Sequence, residues 1–241
     1  MAFIQLISDF QTGAYKIGIM KQALLNTLEN IDIIDINHDI RLNNINEAAF
    51  ISKQLLTVDK TLTITCIQVG MAHRLIIYQQ NLHWYILPDN GILSLMFDIN
   101  DLSNLYSFNN NNQIQAIQAI LNQDTIPKSG AIILKSLKKP MIDEKRIICE
   151  RIYTNKLGNC YFNLQKEEFE AVFGNFSFNA RIQFVPSVNF SKINLNIFEQ
   201  DQGGATLTFS KKGFLKLSIY NGNAAQLFRI KEDTKLIIDK L

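Results

Sequence analysis

Three short runs hold the side chains best suited to chemistry: Ser8-Asp9-Phe10, Asn37-His38-Asp39-Ile40 and Pro88-Asp89-Asn90-Gly91. Asp9 follows an apolar run and precedes a helical one. A carboxylate there can accept two hydrogen bonds from a ribose diol, or receive free amides and the dipole as a helix N-terminal residue. His38 beside Asp39 has the composition of an acid–base pair. Adjacent loop residues usually point apart, however, and a loop histidine bonded to backbone fits the same residues. Pro88, Asp89, Asn90 and Gly91 are all turn formers, and a tight turn at a strand end can also aim Asp89 and Asn90 at a ligand. The three runs are acidic and amide-rich. They suit hydroxyl, amino and heteroaromatic groups better than bare phosphates.

The elements that must position these runs alternate through the first half. Residues 3–7, 32–36, 62–67, 75–78 and 83–87 read as strands. Helices are expected at 14–28, where Ile17, Met20, Leu24 and Leu28 recur three and four apart, and from a cap at Asn43 or Asn44 to about Leu56. Shorter helices follow near 92–97 and at 113–121. Such alternation predicts an α/β domain with a central, mostly parallel sheet covered on both faces, and such sheets bind ligands at the carboxyl ends of their strands. After Pro127 the texture changes to short apolar runs at 130–135, 145–153, 159–164, 179–184, 193–199, 205–209 and 213–219. Only Lys166–Phe173 reads as helical there. This predicts a smaller C-terminal β-barrel domain, with the division at 1–126 and 127–241.

A chain of 241 residues with 24 basic and 22 acidic side chains has a net charge of +2. The basic residues are scattered, which predicts neither nucleic acid nor an anionic membrane as partner. Cys66, Cys149 and Cys160 are odd in number and lack a CxxC spacing, so reduced thiols in a cytoplasmic protein are expected, with no metal site. No apolar stretch approaches ~18 residues, so no membrane span is expected.

Two further segments suit a flat ligand. Tyr153–Asn159 links two strands, and Leu217–Ala225 runs from a strand into a small-residue turn. Gly222 and the alanines after it permit close backbone approach, and a plain hairpin followed by a helix start fits the same residues. Taken in order, the segments resemble the S-adenosylmethionine (SAM) hydroxide adenosyltransferase, or SAM hydrolase, family, which includes fluorinases and chlorinases. The family's T-D-F-G resembles Ser8–Gln11. Its I-x-H-D-I and E-A-A-F resemble Ile36–Ile40 and Glu47–Phe50, and its G-P-D-N-G resembles Leu87–Gly91. Its D-R-F-G-N-x-x-T-N resembles Asn155–Asn159 with Phe162-Asn163, and its L-E-I-A-V-N-G-G-N-A-A resembles Leu215–Ala225.

The resemblance implies a homotrimer that binds SAM or adenosine as substrate or ligand, with no separate cofactor, between one subunit's first domain and its neighbour's second. It implies ribose binding by Asp9. Phe10, Asp89, Asn90 and Phe108 are implied as further contacts. Adenine would be read by Asn159 and the backbone of Gly222, Asn223 and Ala224, with Asn155 and Ser210 at the methionine end. The family reaction is hydrolysis of SAM to adenosine and methionine. The family's V-D-P-G-V-G-x-x-R-R is Thr65–Arg74 here, with Cys66 at the Asp position and His73 at the first Arg position. Arg74 is a substitute only with a shift. The histidine of F-H-G-R-D is replaced by Asn109. An Asn cannot take a proton at neutral pH, and a buried thiol has a raised pKa. Hydrolysis is therefore expected to be weak or lost. The alternative is a non-catalytic nucleoside-binding or assembly protein. Halogenation comes third, because the places that would hold halide are Val69 and Asn110.

Overall fold

A computed structural model describes residues 1–55, 61–99, 103–110, 112–174 and 176–241, with backbone only at 186 and 187. The chain divides into two compact units, Met1–Leu137 and Lys138–Leu241.

In the first unit, β1 (Ala2–Ser8), β2 (Ile31–Asn37), β3 (Thr63–Gln68), β4 (Leu75–Gln80), β5 (His83–Pro88) and β6 (Leu105–Phe108) form one sheet in the order β2-β1-β3-β5-β4-β6. The first four positions in that order are mutually parallel, while β4 runs antiparallel to both β5 and β6. The sheet is therefore mixed. The short Asn81-Leu82 connection between β4 and β5 closes a hairpin, with Asn81 at φ 56°, and a hairpin joins only antiparallel strands. β1 leads to β2 on one side, and the chain then crosses back to β3 on the other. That reversal of winding beside β1 opens a crevice above the carboxyl ends.

Helices α1 (Tyr15–Thr27) and α4 (Gln113–Leu121) cover one face over Ile4, Leu6, Ile64, Cys66, Ile77 and Ile86. Helices α2 (Ile45–Lys53) and α3 (Ile92–Met96) pack on each other and bury Ala48, Ala49, Phe50, Leu93 and Leu95. The α2 cap is Asn44, whose side chain accepts the Glu47 amide at 3.0 Å. The expected end of this helix, at about Leu56, lies outside the described residues.

Residues 130–135 are not the strand their apolar run suggested. The amides of Ile133 and Lys135 donate instead to Asp89 Oδ1 at 2.9 Å and Ser94 Oγ at 2.8 Å. The segment's donors are thus satisfied by the end of β5 and the start of α3, and residues 127–137 lie with the first unit.

The second unit is a nearly closed, barrel-like antiparallel sheet. Its strands are β7 (Met141–Ile142), β8 (Arg146–Thr154), β9 (Cys160–Gln165), β10 (Phe178–Ile182), β11 (Val185–Phe190), β12 (Ala205–Phe209), β13 (Phe214–Ile219) and β14 (Lys235–Lys240). The main path is β11-β10-β14-β8-β9-β13-β12, with β7 on β8. Alternate residues Cys160, Phe162 and Leu164 on β9, and Leu215, Leu217 and Ile219 on β13, fill one core. Helix α5 (Lys166–Phe173) adds Phe169 and Phe173, and α6 (Ala224–Leu227) follows the β13 turn. The expected strand at 193–199 is instead a single bridge at Asn194 and a 3-10 turn at Ile197–Glu199. Asn196 and Glu199 form a reciprocal cap that satisfies the turn's amides locally. Among the described residues no helix is long and apolar enough to cross a membrane.

Candidate functional site

A cleft of about 1770 Å³ lies at the carboxyl ends of the first unit's strands. Asp9, Phe10, Asp39, His73, Asp89 and Asn90 are among the residues that line it. Asp9 follows β1 directly. Its Oδ2 accepts the Asn43 amide at 2.9 Å and the Gly70 amide at 3.3 Å, tying together the loops after β1, β2 and β3. Asp39 holds the α1 approach: Oδ1 accepts the Thr12 amide at 2.7 Å and Oδ2 its hydroxyl at 2.8 Å.

Asn90 donates to the Val69 carbonyl at 2.9 Å, and its Oδ1 accepts the Ile92 amide at 3.3 Å. Gly70, at φ +72°, lies so close to the Asn90 amide that a Cβ there would meet it at 2.9 Å. Asp89 is buried. It takes the Arg74 guanidinium at 2.7 Å through Oδ2 and the Ile133 amide through Oδ1. Arg74 also donates to the Ala131 carbonyl. The arginine offered as a catalytic substitute thus braces the 130–135 segment, while exposed His73 faces the cleft.

The other degenerate positions are placed differently. Cys66 is 1% exposed inside the core under α1 and α4, and burial pushes its thiol up to about 12. At neutral pH it packs as an uncharged group. Phe108 ends β6 half-buried against the same core. Asn109 is exposed, and neither it nor Phe108 is among the cleft-lining residues. Asn110 donates to Gln115 Oε1 at 3.1 Å, Val69 is fully buried, and Asn111 lies outside the described residues.

His38 is bonded to side chains rather than to backbone. Its Nδ1 lies 2.7 Å from Ser8 Oγ and its Nε2 3.1 Å from Asp35 Oδ1. This is a Ser–His–Asp order, but Ser8 is fully buried and accepts the Phe10 amide, so it fixes the β1 exit rather than presenting a nucleophile. Asp35 stands three residues before His38, whereas Ser8 stands 30 residues away and is brought in by the pairing of β1 with β2.

Gln68 and Gln113 carried no sequence signal of their own and both line the cleft. The Ile67 carbonyl can only accept, so Gln113 turns its Nε2 toward it at 3.0 Å; Gln113 Oε1 then accepts from Gln68 Nε2 at 2.7 Å. A backbone group thereby orients both amides. Gln68 stands where the V-D-P-G-V-G pattern has its first glycine, and that replacement was the available clue.

In the second unit, Asn155 Oδ1 accepts the amides of Leu157 at 3.1 Å and Asn159 at 2.9 Å, closing the β8–β9 loop. The Ala225 amide donates to the Gly158 carbonyl at 3.0 Å, which brings Asn159 beside the Asn223-Ala224 turn. Asn223 caps α6 through the Gln226 amide at 2.8 Å. Gly222 has its own packing reason, since a Cβ there would collide with Ile219. Ser210 is not brought to this group. It sits in the β12–β13 turn, accepting the Phe214 amide at 3.1 Å, at the opposite end of β13 from Asn223. Among the described residues no group of three His, Cys, Asp or Glu side chains is placed to hold a metal ion.

Two solved structures share the fold over the whole chain. An uncharacterized conserved protein from Thermotoga maritima matches with TM-score 0.82 and 16% identity, covering 98% of this chain and 99% of its own. A conserved hypothetical protein from Thermus thermophilus matches with TM-score 0.74 and 15% identity, covering 100% of both. At this identity the likeness is one of fold. The SAM hydroxide adenosyltransferase N-terminal domain matches residues 4–139, which span the cleft and every loop that lines it. The chain belongs to the SAM hydroxide adenosyltransferase family.

Proposed function

We propose that the chain binds an adenosyl compound, SAM or adenosine, in the cleft of its first unit. The observation that carries this reading is the convergence of Asp9, Asp39, Asp89 and Asn90 on one cleft at the winding reversal of the sheet. Family membership supplies the ligand class. Asp9 is the ribose-binding carboxylate in this reading, and its loops are already fixed, so little ordering is needed on binding.

The family reaction adds water at C5′ of SAM, breaks the C5′–S bond and releases adenosine and methionine. Here it is weak or lost. The position that would orient water holds an uncharged thiol facing the core, and Asn109 cannot accept a proton. What the cleft retains is positioning, which alone still accelerates a reaction.

The core-facing Cys66 favours a second reading, a non-catalytic nucleoside-binding or assembly protein on the family fold. Halogenation is third, given buried Val69 and Asn110 bonded to Gln115. The proposal is completed by a homotrimer, cytoplasmic location, and no partner among nucleic acids or membranes. Incubating SAM with purified protein and separating the products by chromatography tests it, alongside calorimetry with adenosine. Adenosine release supports a residual hydrolase. Binding without release supports the non-catalytic nucleoside-binding reading, and no binding of either compound refutes both nucleoside readings and leaves the assembly role.

A further inference from the structure

A second pocket, of about 340 Å³, lies between α1 and α4. Lys16, Gln68 and Gln113 line both this pocket and the cleft, so the two cavities meet at the Gln68–Gln113 pair. Beyond that rim the walls are apolar apart from Asn112, whose side chain accepts the Gln115 amide at 3.2 Å; Met20, Leu24, Cys66, Ile114 and Ile117 are among them. The thiol adds to this apolar character because burial keeps it protonated. Water in such a pocket finds few hydrogen-bond partners, whereas an alkyl group replaces it favourably.

The amide pair gives the junction a defined polarity. Gln113 is anchored to the Ile67 carbonyl and takes one Gln68 N–H, so Gln68 offers its carbonyl oxygen and remaining N–H beside the opening. A ligand that crosses here is polar on the cleft side and apolar beyond it.

We propose that the pocket between α1 and α4 is a specificity annex of the cleft, taking an apolar substituent carried by a nucleoside ligand. This rests on the nucleoside reading above. A methylene moved from water into the annex strengthens binding about fourfold. The probes are adenosine and a series of 5′-alkylthioadenosines from methyl to butyl, titrated into the whole chain by calorimetry. The expected result is a stepwise gain with chain length, by about fourfold per methylene until the pocket is full. Ala23→Leu, which adds bulk from α1 into the annex, should flatten that series, with adenosine as internal reference.

Binding of adenosine with no gain along the series overturns the annex and leaves the nucleoside reading standing. Failure of adenosine and of every analogue to bind sinks that reading and the annex with it. Crystals under xenon pressure read the pocket with no nucleoside present. Xenon among Leu24, Cys66 and Ile117 supports an accessible apolar pocket, and its absence counts against the annex even where adenosine binds.

Discussion

The Asp9 carboxylate and the Gly70 amide meet at 3.3 Å, so the loop that ends the first strand is held by the loop that ends the third. The residue with the strongest claim to a ligand is therefore also a structural clasp. Its two roles separate in different measurements.

Asp9→Asn keeps an oxygen able to accept the Gly70 and Asn43 amides but removes the charge. Its affinity for adenosine should fall by about 1.5–3 kcal/mol, the value of a charge-assisted hydrogen bond, with a near-native melting temperature. Asp9→Ala should lose binding and also about 1–3 kcal/mol of stability, because two loop amides lose their acceptor. Calorimetry and thermal melts check both. Unchanged affinity in both variants would remove Asp9 from the binding site.

His83 predicts an acid-sensitive fold. It is 4% exposed, with Nε2 2.7 Å from Thr65 Oγ1 and Nδ1 3.4 Å from the Tyr85 hydroxyl. Thr65 donates to Gln5 Oε1 at 2.8 Å, so it accepts from His83 Nε2–H, and Tyr85 donates to Nδ1. Burial lowers the imidazole to about 4 from its ordinary 6.5. Below pH 6.5 the unfolded chain takes up a proton that the folded chain refuses, so stability falls as pH drops toward 4. Between pH 7 and 5 the loss should be about 2 kcal/mol. Urea unfolding at the two pH values measures it, and His83→Asn should flatten the difference while lowering stability throughout.

All three cysteines are buried, and burial raises each thiol. A thiol reagent at pH 8 should therefore find almost none in the native protein and three after denaturation. Rapid native labelling of Cys66 would contradict its place in the core.

Gly158 sits at φ +79°, and a Cβ there would run into the Asn223 carboxamide. Gly158→Ala should cost about 1–3 kcal/mol through the strained backbone alone, and more if Asn223 must move. Thermal melts of this variant against Asn223→Ala separate the two contributions. A neutral Gly158→Ala would show that the loop can rearrange.

The periodic segments were legible in the sequence. Leu24 is fully buried and Ile17 nearly so, as their spacing on α1 required, and Asn44 caps α2. An apolar run alone does not make a strand; the partners of its backbone amides decide. Residues 130–135 bond to Asp89 and Ser94, and Asn196 with Glu199 closes a turn where a strand was expected. Leu105–Phe108 and Lys235–Lys240 are short runs whose strand state comes from long-range pairing with β4, and with β8 and β10. The cleft loops could be named from their residue types. The Ser8–His38 contact depends on β1 lying beside β2, and the Gln68–Gln113 contact on α4 packing at the end of β3, information that local pattern does not hold.

The Gln5, Thr65, His83 and Tyr85 side chains also act on a different scale. β1 and β3 read as Ala-Phe-Ile-Gln-Leu-Ile-Ser and Thr-Ile-Thr-Cys-Ile-Gln, runs whose isoleucines fit either face almost equally well. Strands so uniform slide past one another at little cost in burial. With Gln5 opposite Thr65 and Thr65 opposite Tyr85, a slip of one residue would strand each of these polar groups in hydrocarbon. The row thus works as a key that only one alignment turns, and it protects a sheet of interchangeable isoleucines from folding out of step.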